Sequence, residues 1–245
     1  MKKKTLDKKQ IPTHVVLLPD GNRRWARERG LPTIQGHLAG FENIKRFCQW
    51  CQKKGIKVLT AFGFSIENWN RPKEEVKYLL ELLERGFREE LKKYLDKQAG
   101  KNMMLTKKVR VRVIGQKERL PKSLREVIKK IEDLTKNNKD YFLNLAVSYS
   151  GRWDILEATK KIIKEKIPAS KITERLFEKY LSTAGLPAPD LVIRTSGEKR
   201  FSNFLLWQSA YSELYFCDKY WPDFKEEDFD RALEEYARRQ RRFGR

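Results

Sequence analysis

Six short strand-like runs, at residues 14–18, 58–64, 109–114, 142–148, 190–195 and 213–216, alternate along this chain with stretches whose apolar residues recur at helical spacing. No other feature constrains the fold as tightly. Successive strands joined through helices pair most readily in parallel, and a parallel sheet needs helices on both faces to leave water. The first run, His14-Val15-Val16-Leu17-Leu18, is apolar almost throughout instead of alternating, as a strand buried on both sides is. The expectation is an α/β fold: a single domain with a mainly parallel six-stranded sheet flanked by helices. A chain of 245 residues suits one such core.

Between the runs, Leu38, Phe41, Ile44, Phe47, Cys48 and Cys51 form one helical stripe, and Val127, Ile128, Ile131 and Leu134 form another. The segment 73–95 is broader: Val76, Leu80, Leu83, Phe87 and Leu91 make a stripe that Tyr78, Leu79 and Leu82 widen. Periodicity alone favours packing on two neighbours, with a cavity wall as the other reading. Residues 98–108 read as a mobile connection between helix and strand.

Open parallel sheets bind ligands beyond the carboxyl ends of their strands. Three such ends here carry chemistry. After the first run comes Pro19-Asp20-Gly21-Asn22-Arg23-Arg24-Trp25. Proline has no amide donor and ends the strand, glycine lets backbone approach a ligand, and the helix opening behind it presents unpaired N–H groups that suit an anion. Asp20 beside a phosphate is repulsive unless a divalent cation lies between, and Mg²⁺ is commonly held in this way by one carboxylate and substrate oxygens. An Asp-Gly turn with a capping role is the structural alternative. After the fifth run, Arg194, Arg200, Ser202 and Asn203 follow within ten residues, and guanidinium forks match phosphate oxygens. After the second, Ser65, Asn68 and Arg71 stand around Trp69; helix capping by Ser65 or Asn70 is the plainer reading of that loop. Two anion sites and one carboxylate point to two phosphorylated substrates.

Lysine and arginine number 54 against 33 acidic residues, a net charge of +21, so polyanionic partners are expected. Nucleic acid is not the expected one, because Trp69 and Trp207 sit in turn or apolar contexts and are not interleaved with basic residues. Cys48, Cys51 and Cys217 suit neither a disulfide framework nor a four-ligand zinc site, and Cys48 and Cys51 read as buried packing in a reducing cytoplasm. No apolar run approaches the roughly 18 residues of a membrane span, so any membrane contact is expected to be peripheral.

The three strand-end segments, together with Gly36-His37, Gly151-Arg152-Trp153-Asp154, Phe204-Leu205-Leu206-Trp207-Gln208 and Glu213-Leu214-Tyr215-Phe216, occur in an order that resembles one family, the cis-prenyltransferases or undecaprenyl diphosphate synthase-like enzymes. The resemblance runs from residue 14 to about residue 244. It implies a hydrophobic tunnel and Mg²⁺-dependent condensation of isopentenyl diphosphate onto an allylic diphosphate of farnesyl or geranylgeranyl type, giving a long-chain Z-polyprenyl diphosphate. It further implies that Gly21, Asn22, Arg23, Arg24, Trp25, His37, Ser65 and Arg71 serve the allylic diphosphate, and that Arg194, Arg200, Ser202, Arg242 and Gly244 serve isopentenyl diphosphate. Asp20 and Glu213 take the metal positions, and Asp20 and Asn68 the catalytic ones. The proton acceptor stays open among Asp20, Asn68 through water, and a released diphosphate oxygen. A homodimer, peripheral at the cytoplasmic membrane face, is the family's usual form, with residues 1–13 a basic arm and 14–245 the catalytic domain.

The sequence departs from the family pattern at Thr33, where an arginine is common and Arg27 or Arg29 are the available substitutes, at Pro19, and at Ser196 in place of glycine. A noncatalytic partner subunit is the alternative within the family. The presence of Asp20, Arg194, Arg200 and Glu213 argues for an active chain. Gly63, Tyr141 and Val147 are candidates for the tunnel floor.

Overall fold

A computed structural model describes residues 10–96 and 108–239. Most of the basic arm, all but the last residue of the connection expected at 98–108, and Arg242 and Gly244 therefore lie outside the described residues. The six runs form strands β1 (His14–Leu18), β2 (Val58–Ser65), β3 (Val109–Ile114), β4 (Tyr141–Tyr149), β5 (Leu191–Arg194) and β6 (Glu213–Phe216). They join in one sheet of order β3-β4-β2-β1-β5-β6, and every pairing is parallel. The chain builds outward from β1 to one side and returns to add β5 and β6 on the other, so a crevice opens where the strand order reverses, at the carboxyl end of β1.

Alternate residues of each strand feed two separate apolar layers. Val15, Leu17, Leu59, Ala61, Leu143, Leu145 and Ile193 face one side, with α2 (Thr33–Lys54), α3 (Lys73–Leu95), α4 (Lys122–Thr135) and α7 (Glu226–Arg238) packed over them; α1 (Asn22–Glu28) caps the strand end. Val16, Leu18, Ala146 and Val192 face the other, beneath Tyr149, Phe204 and Leu205 and near α5 (Gly151–Lys164), with the short α6 (Glu174–Glu178) beyond. The stripe predicted on α2 packs through its second half, where Phe47 is wholly buried against the rings of Trp221, Phe224 and Phe229, while Leu38 is exposed and Phe41 and Ile44 border a cavity. Burying such a side chain contributes about 1.5–3 kcal/mol. Cys48 and Cys51 lie in the same layer, and burial pushes both thiols up, which suits packing and not redox work.

The amino ends of the strands hold a buried polar cluster. His14 Nδ1 donates to the Pro187 carbonyl at 2.8 Å, which fixes the tautomer, so Nε2 accepts from the Thr60 hydroxyl at 2.8 Å. Thr60 Oγ1 in turn accepts from Asn144 Nδ2 at 3.1 Å. Burial lowers the His14 pKa from the ordinary 6.5 to about 4, so the ring is neutral. Asp190 closes the same end by accepting from the backbone N–H groups of Thr13 and His14.

Candidate active site

β1 stops at Leu18, as Pro19 requires, and the chain turns through Asp20 and Gly21 into α1. Two bonds to Thr195 fasten the turn to the end of β5: Asp20 N–H donates to the Thr195 hydroxyl, and that hydroxyl donates to the Asp20 carbonyl, both at 2.9 Å. Gly21 has φ +102°, and a Cβ there would stand 2.7 Å from Ser196 Oγ and from a Tyr220 ring carbon, so any larger residue is excluded by both backbone and space. No side chain caps α1, which leaves the N–H groups of its first turn, Asn22 to Arg24, available to a ligand.

Arg194, at the end of β5, is 3% exposed and engages all three guanidinium nitrogens, leaving one Nη2 N–H for a ligand. Nε and Nη2 donate to one Asp20 carboxylate oxygen at 3.0 and 2.6 Å, and Nη1 donates to Ser202 Oγ at 2.9 Å and to the Arg200 carbonyl. The Asp20 side chain is 42% exposed, so it faces open space while its partner is fixed behind it. Glu198 links the two sides of the mouth, pairing with Arg24 at 2.9 Å and with Arg200. Burial alone would raise the Glu198 carboxyl, yet its bond to Arg200 and the charges of Arg200, Arg24 and Arg194 hold it below the usual carboxylate range. On the α3 side, Glu75 collects His37 at 3.0 Å, Arg71 at 3.1 Å and Arg23 at 3.8 Å. Burial lowers the His37 pKa against the opposing bond to Glu75.

The groups that Thr195, Glu198 and Glu75 hold, from Asp20 and the arginines to His37, line a cavity of about 1430 Å³ at the carboxyl ends of β1, β2 and β5. Seven arginines line it (Arg23, Arg24, Arg27, Arg71, Arg152, Arg194 and Arg200) against two carboxylates, Asp20 and Glu67, so an anion is drawn to the mouth. Deeper in, the walls are Phe41 and Ile44 of α2, Ala61, Phe62 and Phe64 of β2, Leu79, Leu82, Leu83 and Phe87 of α3, and Leu145 of β4. The broad face of α3 thus packs on the core through Val76 and Leu80 and walls the cavity through its flank. Gly63 is on the lining, whereas Tyr141 and Val147 are not; Leu145 takes the place expected of them.

Asp20, Gly21, Asn22, Arg23, Arg24, His37, Ser65, Asn68, Arg71, Arg194, Arg200 and Ser202 all meet at this cavity, as the sequence suggested. Ser65 and Asn68 are also a reciprocal cap for the 3₁₀ turn Ile66–Asn70, with Asn68 N–H on Ser65 Oγ at 3.2 Å and Ser65 N–H on Asn68 Oδ1 at 3.1 Å, so the plainer reading of that loop holds too. Thr33 lines the cavity and so does Arg27, while Arg29 turns away to Asp223.

Two expected site residues are placed elsewhere. Trp25 lies on the flank of α1 that meets the Trp221–Asp223 turn, where its indole N–H donates to Asp223 at 2.8 Å and Arg29 stacks on its ring; it is absent from the lining. Glu213 begins β6 opposite Leu191, at the amino edge of the sheet, three residues short of the pairing between Phe216 and Arg194 at the site's edge. At ~3.3 Å per residue that is about 10 Å along the strand. Its carboxylate accepts from Arg239 Nη1 at 2.8 Å instead. Glu75 and Glu198 were the functional neighbours missed, since a carboxylate that orients arginines leaves no signal in spacing.

A family model described as putative undecaprenyl diphosphate synthase matches residues 18–244. An isoprenyl transferase of Aquifex aeolicus (strain VF5) is 49% identical over 236 residues, covering 96% of this chain and 97% of that protein. A tritrans,polycis-undecaprenyl-diphosphate synthase (geranylgeranyl-diphosphate specific) of Thermoplasma volcanium is 48% identical, covering 96% of this chain and 89% of the relative. The crystal structure of lavandulyl diphosphate synthase from Lavandula x intermedia in complex with dimethylallyl diphosphate matches the fold with a TM-score of 0.89 at 38% identity, over 97% of this chain and 100% of that one. With a parallel sheet, an arginine-rimmed apolar cavity and these likenesses in agreement, the chain belongs to the undecaprenyl diphosphate synthase family of prenyltransferases.

Proposed function

We propose that this chain is a Z-polyprenyl diphosphate synthase that adds isopentenyl diphosphate units to an allylic diphosphate primer of farnesyl or geranylgeranyl type. The observation that carries the reading is the junction, in one cavity, of an arginine-rich mouth with an apolar interior walled by α2, α3 and the sheet. A charged head and a growing hydrocarbon tail need both at once.

In this reading the first-turn amides of α1, with Arg24, Arg71 and His37, hold the allylic diphosphate. Arg194, Arg200 and Ser202 hold isopentenyl diphosphate. The difficult event is departure of diphosphate from the allylic carbon, and preplaced N–H donors and guanidinium groups stabilise the charge that collects on the leaving oxygens. Asp20 fits a divalent cation: its carboxylate faces the cavity, and no group of three or more His, Cys, Asp or Glu among the described residues offers a fuller cage, which suits Mg²⁺ sharing one carboxylate with diphosphate oxygens. When bound, the metal supplies positive charge to the diphosphate. Arg194, locked to Asp20 through two donors, holds that carboxylate in place. The double bond of isopentenyl diphosphate attacks the allylic carbon, and the proton it sheds passes to Asp20, to Asn68 through water, or to a diphosphate oxygen.

Each added five-carbon unit gains about 4 kcal/mol at ~0.8 kcal/mol per buried CH₂-sized group, so the apolar walls favour retention of the tail. The chain acts as a homodimer peripheral to a membrane surface in this proposal. No helix among the described residues is long and apolar enough to cross a membrane. With Glu213 at the far edge of its own sheet, any metal role for it is played toward a second chain.

The test is incubation of purified protein with labelled isopentenyl diphosphate, Mg²⁺ and primers of several lengths, followed by sizing of products. A metal-dependent series of elongated polyprenyl diphosphates is expected. No condensation with any primer sinks the reading.

A further inference from the structure

Asn203 follows Ser202 in the loop after β5, and its amide is fully committed to protein. Oδ1 accepts from Arg152 N–H at 3.0 Å, and Nδ2 donates to Ser150 Oγ at 2.7 Å and to Glu67 Oε1 at 3.0 Å. Its main-chain carbonyl accepts from Gly151 N–H at 2.6 Å. One residue therefore fastens three strand-end segments together: the turn after β2 through Glu67, the start of α5 through Ser150, Gly151 and Arg152, and its own loop. The junction is tight, because a Cβ on Gly151 would stand 3.0 Å from the Asn203 carbonyl.

The backbone narrows the choice further. Ser202, Asn203 and Leu205 have φ of +44°, +62° and +43°, so the loop is held in a left-handed shape that asparagine tolerates better than most residues. Glycine would take that shape without the amide, aspartate would take it without the donors, and larger amides would not take it readily.

From this we infer that Asn203 is the positioning residue of the isopentenyl diphosphate side, an inference that rests on the proposed reaction. Both of its N–H groups are spent on Ser150 and Glu67, so it has no donor left for a diphosphate. Its effect passes through Ser202, whose hydroxyl accepts from Arg194 Nη1 at 2.9 Å, and through the Arg200 carbonyl, which accepts from the same nitrogen. Releasing the loop frees Ser202 and Arg200 from register with Arg194 while leaving the Gly21–Arg24 turn, fastened separately by Thr195, in place.

The experiment reverses the polarity of one bond. Asn203→Asp keeps the size and the left-handed tolerance but sets a carboxylate against Glu67. The KM for isopentenyl diphosphate should rise about tenfold or more, the loss expected for one hydrogen bond to a charged group, while the KM for the primer changes by less than about twofold. Adding Glu67→Gln restores a donor facing an acceptor, with the new side-chain amide at position 67 donating to the new carboxylate at position 203, and should bring the isopentenyl diphosphate KM back to within about threefold of wild type. Unfolding midpoints show whether each variant folds; if Asn203→Asp does not, Asn203→Gly, which keeps the backbone and drops the amide, carries the same expected KM split.

Wild-type turnover in the same assay tests the reaction separately, and its failure removes the ground of the inference together with the proposed function. Given that turnover, an unchanged isopentenyl diphosphate KM, equal rises for both substrates, or a double variant no better than the single one overturns the role assigned to Asn203.

Discussion

The two ends of this sheet use their polar side chains in opposite ways. At the amino end, His14, Thr60, Asn144 and Asp190 bond to one another or to nearby backbone, with Asn144 Oδ1 alone in the cluster lacking a partner among the described residues, and the cluster is neutral at the imidazole. At the carboxyl end, cations outnumber carboxylates, Asp20 and Glu198 are shared among Arg194, Arg24 and Arg200, and backbone at Gly21, Ser196, Gly197, Ser202, Asn203 and Leu205 sits at positive φ. Left-handed backbone and unbalanced charge both cost stability, and they are tolerated where the remaining partner is a ligand. The amino end is built to hold the sheet, and the carboxyl end to hold something else.

Changes at the two ends should therefore separate function from stability. The largest effect is expected from Asp20→Asn, which should lower turnover about a thousandfold, the scale of losing one strong electrostatic contact in a transition state, while its amide oxygen still accepts from the buried Arg194 and unfolding in urea shifts by less than about 3 kcal/mol. Near-normal turnover, or a collapse of the fold, would erase the contrast between the ends.

Next in size is a pH effect at the other end. His14 is neutral when folded, with a pKa of about 4 against 6.5 when exposed. Its contribution is thus fully present above pH 6.5 and drains away as pH falls toward 4, by at most about 3 kcal/mol. Urea midpoints of wild type and His14→Gln between pH 7.5 and 4 read this directly; the variant should lose part of the acid slope and keep its KM values at neutral pH. Identical slopes would mean that other groups set the acid limit.

The smallest effect expected is that of Arg194→Lys, which keeps the charge and loses the fork. The KM for isopentenyl diphosphate should rise about tenfold, with primer KM little changed. Steady-state kinetics over both substrates decide it, and a primer effect as large as the isopentenyl diphosphate effect would merge the two sides of the mouth into one site.

Much of this arrangement was legible in the chain itself. All six strands were marked to within a residue or two, the inner ones because a strand buried on both faces must be apolar along its length, and the edge strands β3 and β6 although half-buried positions break their apolar pattern. The turn at Gly21 and the arginines after β5 were legible because a tight φ and phosphate recognition each demand particular residue types. Trp25 was misplaced because one turn of helix decides which flank faces the cavity, and neighbouring positions in a motif point in different directions. Glu213 stands away from the cavity for a related reason: motif membership says nothing about which end of a strand a residue occupies. The holding roles of Glu75, Glu198 and Asn203 were not legible in the sequence, since each acts on another residue that its own spacing does not reveal.

What the sequence by itself determined is the alternation of elements, the parallel sheet, and the residue types that meet anions, all consequences of local backbone preference and short-range periodicity. Only the tertiary structure decided the strand order that puts β1 between β2 and β5, the share of α3 that walls the cavity instead of the core, and the carboxylates that aim each arginine. Those depend on distances between residues far apart in the chain, which the packing of two apolar layers on one sheet sets all at once.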